Sequence, residues 1–159
     1  MGGTSQGDPT RRVLIVTGHH TLRVSLKDLI NLESDLTVGG EAENLTEARR
    51  LSGDDHMVLA IVDHLAFTDR EPLRKPVFPE NPHMPVILMT LDNELDQLKR
   101  ALAAGVRGCV TKQDLAEELI PAVRNVLNGQ RYISRELLVG IPARVRAAIL
   151  DGETTEWNE

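Results

Sequence analysis

Three polar residues each close a short apolar run: Asp63 after Val58–Val62, Thr90 after Val86–Met89, and Lys112 after Gly108–Thr111. Runs of this kind suit strands buried on both faces of a parallel sheet. In open α/β sheets the ligand crevice lies outside the carboxyl ends of the strands, so a carboxylate, a hydroxyl and an ammonium group from separate strands can meet there. That set suits an acyl phosphate: the Asp oxygen attacks phosphorus, Lys balances the charge and Thr hydrogen-bonds a phosphoryl oxygen. Any one of the three alone would be no more than a polar strand end. Together they outline a site.

The elements that would position them alternate. Arg11 and Arg12 lead into Val13–Val16, a strand that stops at Thr17-Gly18. Thr21 is placed to cap a helix whose Leu22, Leu26, Leu29 and Ile30 fall at helical spacing. A weaker strand covers Leu36–Gly40, and Asn44 caps a helix that runs through Leu51 to Gly53. Residues 64–85 hold Pro72, Pro76, Pro79, Pro82 and Pro85, so a full helix is excluded and only a turn or two near Asp69–Lys75 is expected. Asn93 caps a helix with Leu95, Leu98 and Leu102 inward, ended by Gly105. Asp114 with Glu117 resembles a capping box for a helix reaching Leu127, which Pro121 should kink. Two short helical pieces follow, Ser134–Val139 and Pro142–Leu150, broken at Gly140. Such alternation implies a parallel sheet covered on both faces with right-handed crossovers. The expected division is a leader over 1–10, an α/β domain over 11–130, and a C-terminal helical extension with an acidic tail over 131–159.

Composition narrows the function. A chain of 159 residues holds one ordinary domain plus tails and needs no disulfide or metal staple. Lys and Arg number 18 against 24 Asp and Glu, a net charge of −6, so direct nucleic-acid binding is not expected. Aromatic residues make up 3%, too few for a base-stacking platform. The single cysteine, Cys109, excludes an internal disulfide and a Cys-based zinc site and suits a reducing cytoplasm. No apolar run reaches the ~18 residues of a membrane span, and the Gly-, Ser- and Thr-rich first ten residues are no signal peptide.

The chain resembles the receiver domains of bacterial two-component response regulators of the NarL/FixJ type. The resemblance rests on Arg12–Val16 with His19, Val38–Ala42, Val58–Asp63, Pro85–Thr90, Ala104–Gly108 with Lys112, Glu117–Leu119 and Gly129–Ser134. It covers about residues 11–134 and implies a doubly wound, flavodoxin-like, five-stranded parallel sheet of order 2-1-3-4-5, here with a shortened third helix and an added C-terminal helical segment. It implies that Asp63 stands at the phosphoacceptor position, Thr90 at the switch hydroxyl and Lys112 at the invariant lysine.

Three departures fall in one pocket. The family places two acidic residues after the first strand to hold Mg²⁺, and Thr17-Gly18 stand there instead. Magnesium wants carboxylate oxygens that bridge it to phosphate, so neither a metal nor another cofactor is expected, and Lys112 should neutralise Asp63 directly. Cys109 occupies the switch position usually held by Tyr or Phe, and His64–Arg70 replace a Met-Pro turn. His19, His20 and His64 lie near the strand ends, but adjacent residues seldom both ligate one ion, so they are read as loop residues. In the strand, Cys109 is read as a small buried hydrophobe.

The expectation is therefore an atypical receiver in the cytoplasm, not an enzyme, that signals by protein–protein association. Its partners would be a second copy, through the last two strand-helix units or the first and last helices, and a DNA-binding output domain or partner protein. A helix-turn-helix output would need roughly 60 further residues, so the chain is either a stand-alone receiver or part of a longer regulator. Gln97, Lys99 and Arg100, with Glu94, Glu117, Glu118 and Arg124, are expected to face outward, and Ile141, Val145 and Ile149 to line a helix that binds either its own domain or a partner. Two other readings stay open: a ligand-sensing receiver whose pocket takes a small molecule, and a conventional switch weakly phosphorylated on Asp63.

Overall fold

The computed structural model describes residues 10–54, 56–91 and 95–151. Residues 1–9 of the expected leader, the Asn93 cap, Glu94 and the tail after Asp151 lie outside them. A six-stranded parallel sheet has the order β2-β1-β3-β4-β5-β6. Its strands are β1 (Arg11–Val16), β2 (Leu36–Ala42), β3 (Met57–Asp63), β4 (Val86–Thr90), β5 (Gly108–Thr111) and β6 (Tyr132–Ile133). The expected five-strand order is there, with one strand more at the β5 edge. Gly108 pairs with Tyr132 and Cys109 with Ile133.

The central strands are buried on both faces, which is why they read as unbroken apolar runs. Alternation sends Leu14 and Val16 to one core and Val13 and Ile15 to the other. On the second side lie α1 (His20–Asn31) and α4 (Leu115–Leu127), contributing Leu26, Ile30, Leu119 and Val123. On the first lie α2 (Leu45–Ser52), α3 (Leu95–Ala103), α5 (Arg135–Leu138) and α6 (Ala143–Leu150). Across the second face, Arg124 of α4 grips Asp35 through both guanidinium nitrogens (2.6 and 2.9 Å) and Glu33 at 2.7 Å, tying α4 to the turn before β2. Gly39 is the residue skipped where β2 bulges against Val13/Leu14. A Cβ there would sit 2.7 Å from the Cβ of Arg12, so only glycine permits this approach.

Several local expectations need correcting. Thr21 does not cap α1: the helix starts at His20, and the Thr17 hydroxyl accepts the His19 N–H instead. Asp114 makes no capping bond because its carboxylate accepts the Thr111 hydroxyl at 2.7 Å. Pro121 is carried within one continuous α4. Leu95, at the first described residue of α3, is 42% exposed rather than inward. Glu118 is buried, accepting the Tyr132 hydroxyl at 2.7 Å, and is no outward charge. Asn44 does cap α2, accepting the Glu47 N–H at 2.9 Å.

Between β3 and β4 the helical turn falls at His64–Ala66, not at Asp69–Lys75. The Asp63 carboxylate accepts the Leu65 N–H and starts it at once. Beyond it the prolines prevent a helix, and the segment is held down by Val77 and Phe78, which plug the first core. The apolar stripe of α6 is also settled. Ile149 is fully buried in the chain's own core, with Ile141 and Val145 packed against it. That stripe is not a partner-binding face.

Truncating Ile149 to Ala should therefore cost about 2–5 kcal/mol, the usual range for a buried Ile, in urea unfolding. Val139→Ala, at a side chain 74% exposed, should stay within about 0.5 kcal/mol. Equal, small effects would mean that α6 is undocked.

Candidate functional site

β3 delivers Asp63 to the carboxyl end of the sheet, where it is 2% exposed. A carboxylate that far from water needs a countercharge and hydrogen bonds to both oxygens. Lys112, opening the turn after β5, places Nζ 2.7 Å from Oδ1. The Leu65 N–H donates to the same oxygen at 3.0 Å. Thr17, directly after β1, donates its hydroxyl to Oδ2 at 2.8 Å. Burial pushes the Asp63 carboxyl up, but the Lys112 hydrogen bond, the Leu65 and Thr17 hydrogen bonds and the Lys112 charge outweigh it, and the acid titrates below its ordinary value.

A second ring of contacts holds this triad. Arg23 of α1 donates to the Thr17 carbonyl at 2.8 Å and pairs with Glu41, near the end of β2, at 3.5 Å and with Glu43, just after β2, at 3.9 Å. Lys27 also reaches Glu41, at 3.1 Å. His64 Nδ1 lies 3.2 Å from the Met89 carbonyl and 3.4 Å from Asp63 Oδ1, so the Nδ1–H tautomer donates to the carbonyl. Neither Arg23 nor the Leu65 N–H was singled out from the sequence. Asp before a turn is the usual sign of a bond to the N–H two residues on, whereas Arg23 meets its partners only through the pairing of β1 with β2.

Of the expected site residues, Asp63, Lys112 and Thr17 come together. Gly18 follows Thr17, and a Cβ added there would just touch the Glu43 carbonyl at 3.4 Å. Thr90 is buried at the end of β4, opposite Thr111, while the residue facing Asp63 in register is Met89. Cys109 lies in mid-strand between Leu88 and Ile133, packed in the first core. Burial pushes its thiol up to about 12, so it stays protonated near neutral pH and acts as a small apolar group. The Mg²⁺ that receivers hold does not fit this donor set. The two residues after β1 are a threonine whose hydroxyl is already committed to Asp63 and a bare glycine, neither of which brings a carboxylate, and among the described residues no group of three His, Cys, Asp or Glu is placed to hold an ion.

Residues 13–124 match the response regulator receiver domain family. The chain belongs to that family. Its curated relatives include the response regulator GacA of Pseudomonas viridiflava, 33% identical over 130 residues, covering 79% of this chain and 59% of GacA. The response regulator protein VraR of Staphylococcus aureus is 26% identical over 141 residues, covering 86% of this chain and 66% of VraR. The receiver thus spans about two thirds or less of these relatives. Among solved structures, a LuxR-family two-component response regulator from Aurantimonas superposes with a TM-score of 0.75 at 24% identity, covering 87% of this chain and 99% of that one. The signal receiver domain of the putative regulator NarL from Mycobacterium tuberculosis gives 0.67 at 21%, covering 76% and 98%. These likenesses carry the fold. The chain thus carries a response regulator receiver domain, and no helix among the described residues is long and apolar enough to cross a membrane.

Lys112→Met leaves a buried carboxylate without its cation and should cost about 3–5 kcal/mol at pH 7. The sign follows from the lowered folded value of Asp63. In the unaltered chain its stabilisation is full above the unfolded carboxyl range near ~4 and is lost as pH falls through the lower folded value. In the variant burial dominates and the folded acid titrates higher, so the stability gap between the two proteins should narrow on acidification. Urea midpoints from neutral to acid pH check this, and parallel curves would contradict it.

Proposed function

We propose that this chain is an atypical NarL/FixJ-type receiver that has left the aspartyl-phosphate cycle and signals by protein–protein association. The observation carrying this reading is that both oxygens of Asp63 are engaged from within the chain, one by Lys112 and Leu65 and the other by Thr17. In a phosphorylated receiver one carboxylate oxygen must attack phosphorus while a metal ion bridges carboxylates to phosphate. Here Thr17 and Gly18 supply no carboxylate, and the balanced Asp63–Lys112 pair needs no cation to relax it.

Asp63 on this reading is a structural anchor at the phosphoacceptor position, with Thr90 and Cys109 at switch positions that no longer report phosphorylation. The chain is not an enzyme, works in the cytoplasm, and has as partners a second copy and a DNA-binding output domain or partner protein. Residues 11–130 form the signalling unit and 131–159 the extension. The two-fold contact would use the first and last helices or the last two strand-helix units, without Arg124 and Glu118 of α4, which are engaged inside the chain.

Intact-mass measurement after acetyl phosphate with Mg²⁺ should show no adduct. A stoichiometric adduct that disappears in Asp63→Ala would sink the proposal. The double change Thr17→Asp with Gly18→Asp should create measurable Mg²⁺ binding by calorimetry, and without Mg²⁺ it should lower stability, because like charges then crowd Asp63.

A further inference from the structure

Loss of the helix between β3 and β4 leaves a groove of about 710 Å³ between the proline-rich segment and α3. This lies within the range of small-molecule sites, about 300–1,000 Å³. Its floor is apolar: Phe67 and Leu73 pack on the first core, Leu88 comes up from β4, and Ala103 and Ala104 keep the α3 wall low. Its rim is cationic. Arg74, Lys75 and Arg100 all line it, and the charged head of none of them meets a partner among the described residues. Asp69 is the only carboxylate among the lining residues.

That concentration of unpaired positive charge stands out on a chain whose net charge is −6. Surface cations beside apolar floor cost nothing in water, but three of them around one concavity favour an anion that also has something to bury. The stem of Lys75 lies over Gly105, 3.7 Å from where a Cβ would stand, just beyond the end of α3. His64 also lines the groove, and its Nδ1 lies against both the Met89 carbonyl and Asp63 Oδ1.

We infer that this groove binds a small organic carboxylate with an apolar body, its charged end held by Arg74, Lys75 and Arg100 and its body lying on Phe67, Leu73 and Leu88. The charges select against cations and neutral analogues, since guanidinium groups pair with carboxylates in a two-pronged geometry. The concave, shallow shape suits a body of a few carbons or one ring better than a folded partner. The inference stands apart from the state of Asp63, but it gives a receiver without a phosphate an input at the next residue.

Octanoate is the probe, followed by amide chemical shifts on the full chain, with octylammonium and octanol as matched controls. Saturable millimolar or tighter binding, with shifts confined to 64–75, 88 and 97–104, is expected. Arg74→Ala with Arg100→Ala should weaken it at least about tenfold. Ala103→Trp, at an exposed helical position, should fill the groove and abolish binding while leaving the thermal midpoint near that of the unaltered chain. Absence of saturation, equal binding of octylammonium, shifts elsewhere or indifference to both variants each overturns the inference. So does self-association at these amides without ligand, which would make the groove a contact between copies. Because acetyl phosphate reads Asp63 and octanoate reads the groove, the failure of one proposal leaves the other intact.

Discussion

A carboxylate buried at the end of the third strand has to be neutralised where it stands, and the site is arranged around that need. Asp63 takes a proton donor from the end of β1, a cation from the end of β5 and a backbone N–H from the turn that follows it. The pair thus spans β1, β3 and β5, fixing three strand ends relative to one another across the centre of the sheet. An ion pair this far from water gains little net stability over apolar packing, because desolvation offsets the attraction. What it supplies is position: the strand ends have one arrangement in which no charge is left alone.

The same economy explains the segment after β3. A helix there would ordinarily cover the sheet with one continuous apolar stripe. Prolines forbid it, and two residues, Val77 and Phe78, do the covering instead. Their burial holds the backbone down but leaves the approach to α3 unfilled, so the groove follows directly from the loss of the helix. On the far side of α3, the docked α6 closes the core that β6 and α5 extend.

Much of this was legible in the residues because buried parallel strands announce themselves as apolar runs and deliver their next residue to the crevice. Asp63 and Lys112 were found that way. Thr17 was legible as the loss of a carboxylate, while its gain as a hydrogen-bond donor appears only once β1 lies beside β3. Arg23 needs partners 18 and 20 positions away, Glu41 and Glu43, which only the β1–β2 pairing brings close. Two residues, Tyr132 and Ile133, carry no period, so β6 left no pattern to read. The stripe on α6 is the same whether its target is the chain's own core or another protein, and packing alone decides between them. Leu95 misled because helical spacing assigns a face without saying where along the helix the core ends.

The brevity of β6 has a consequence for the sheet's outer border. An edge strand presents unpaired amide and carbonyl groups on which another chain can add a strand, and a long flat one is a template for aggregation. Here β5, four residues long, is capped by a strand of two, with the backbone turning through Gly129, in the left-handed region, before it and into α5 after it. The exposed hydrogen-bonding edge is too short to recruit a stranger, so contact on this side must be made by side chains, which can discriminate, and not by backbone, which cannot.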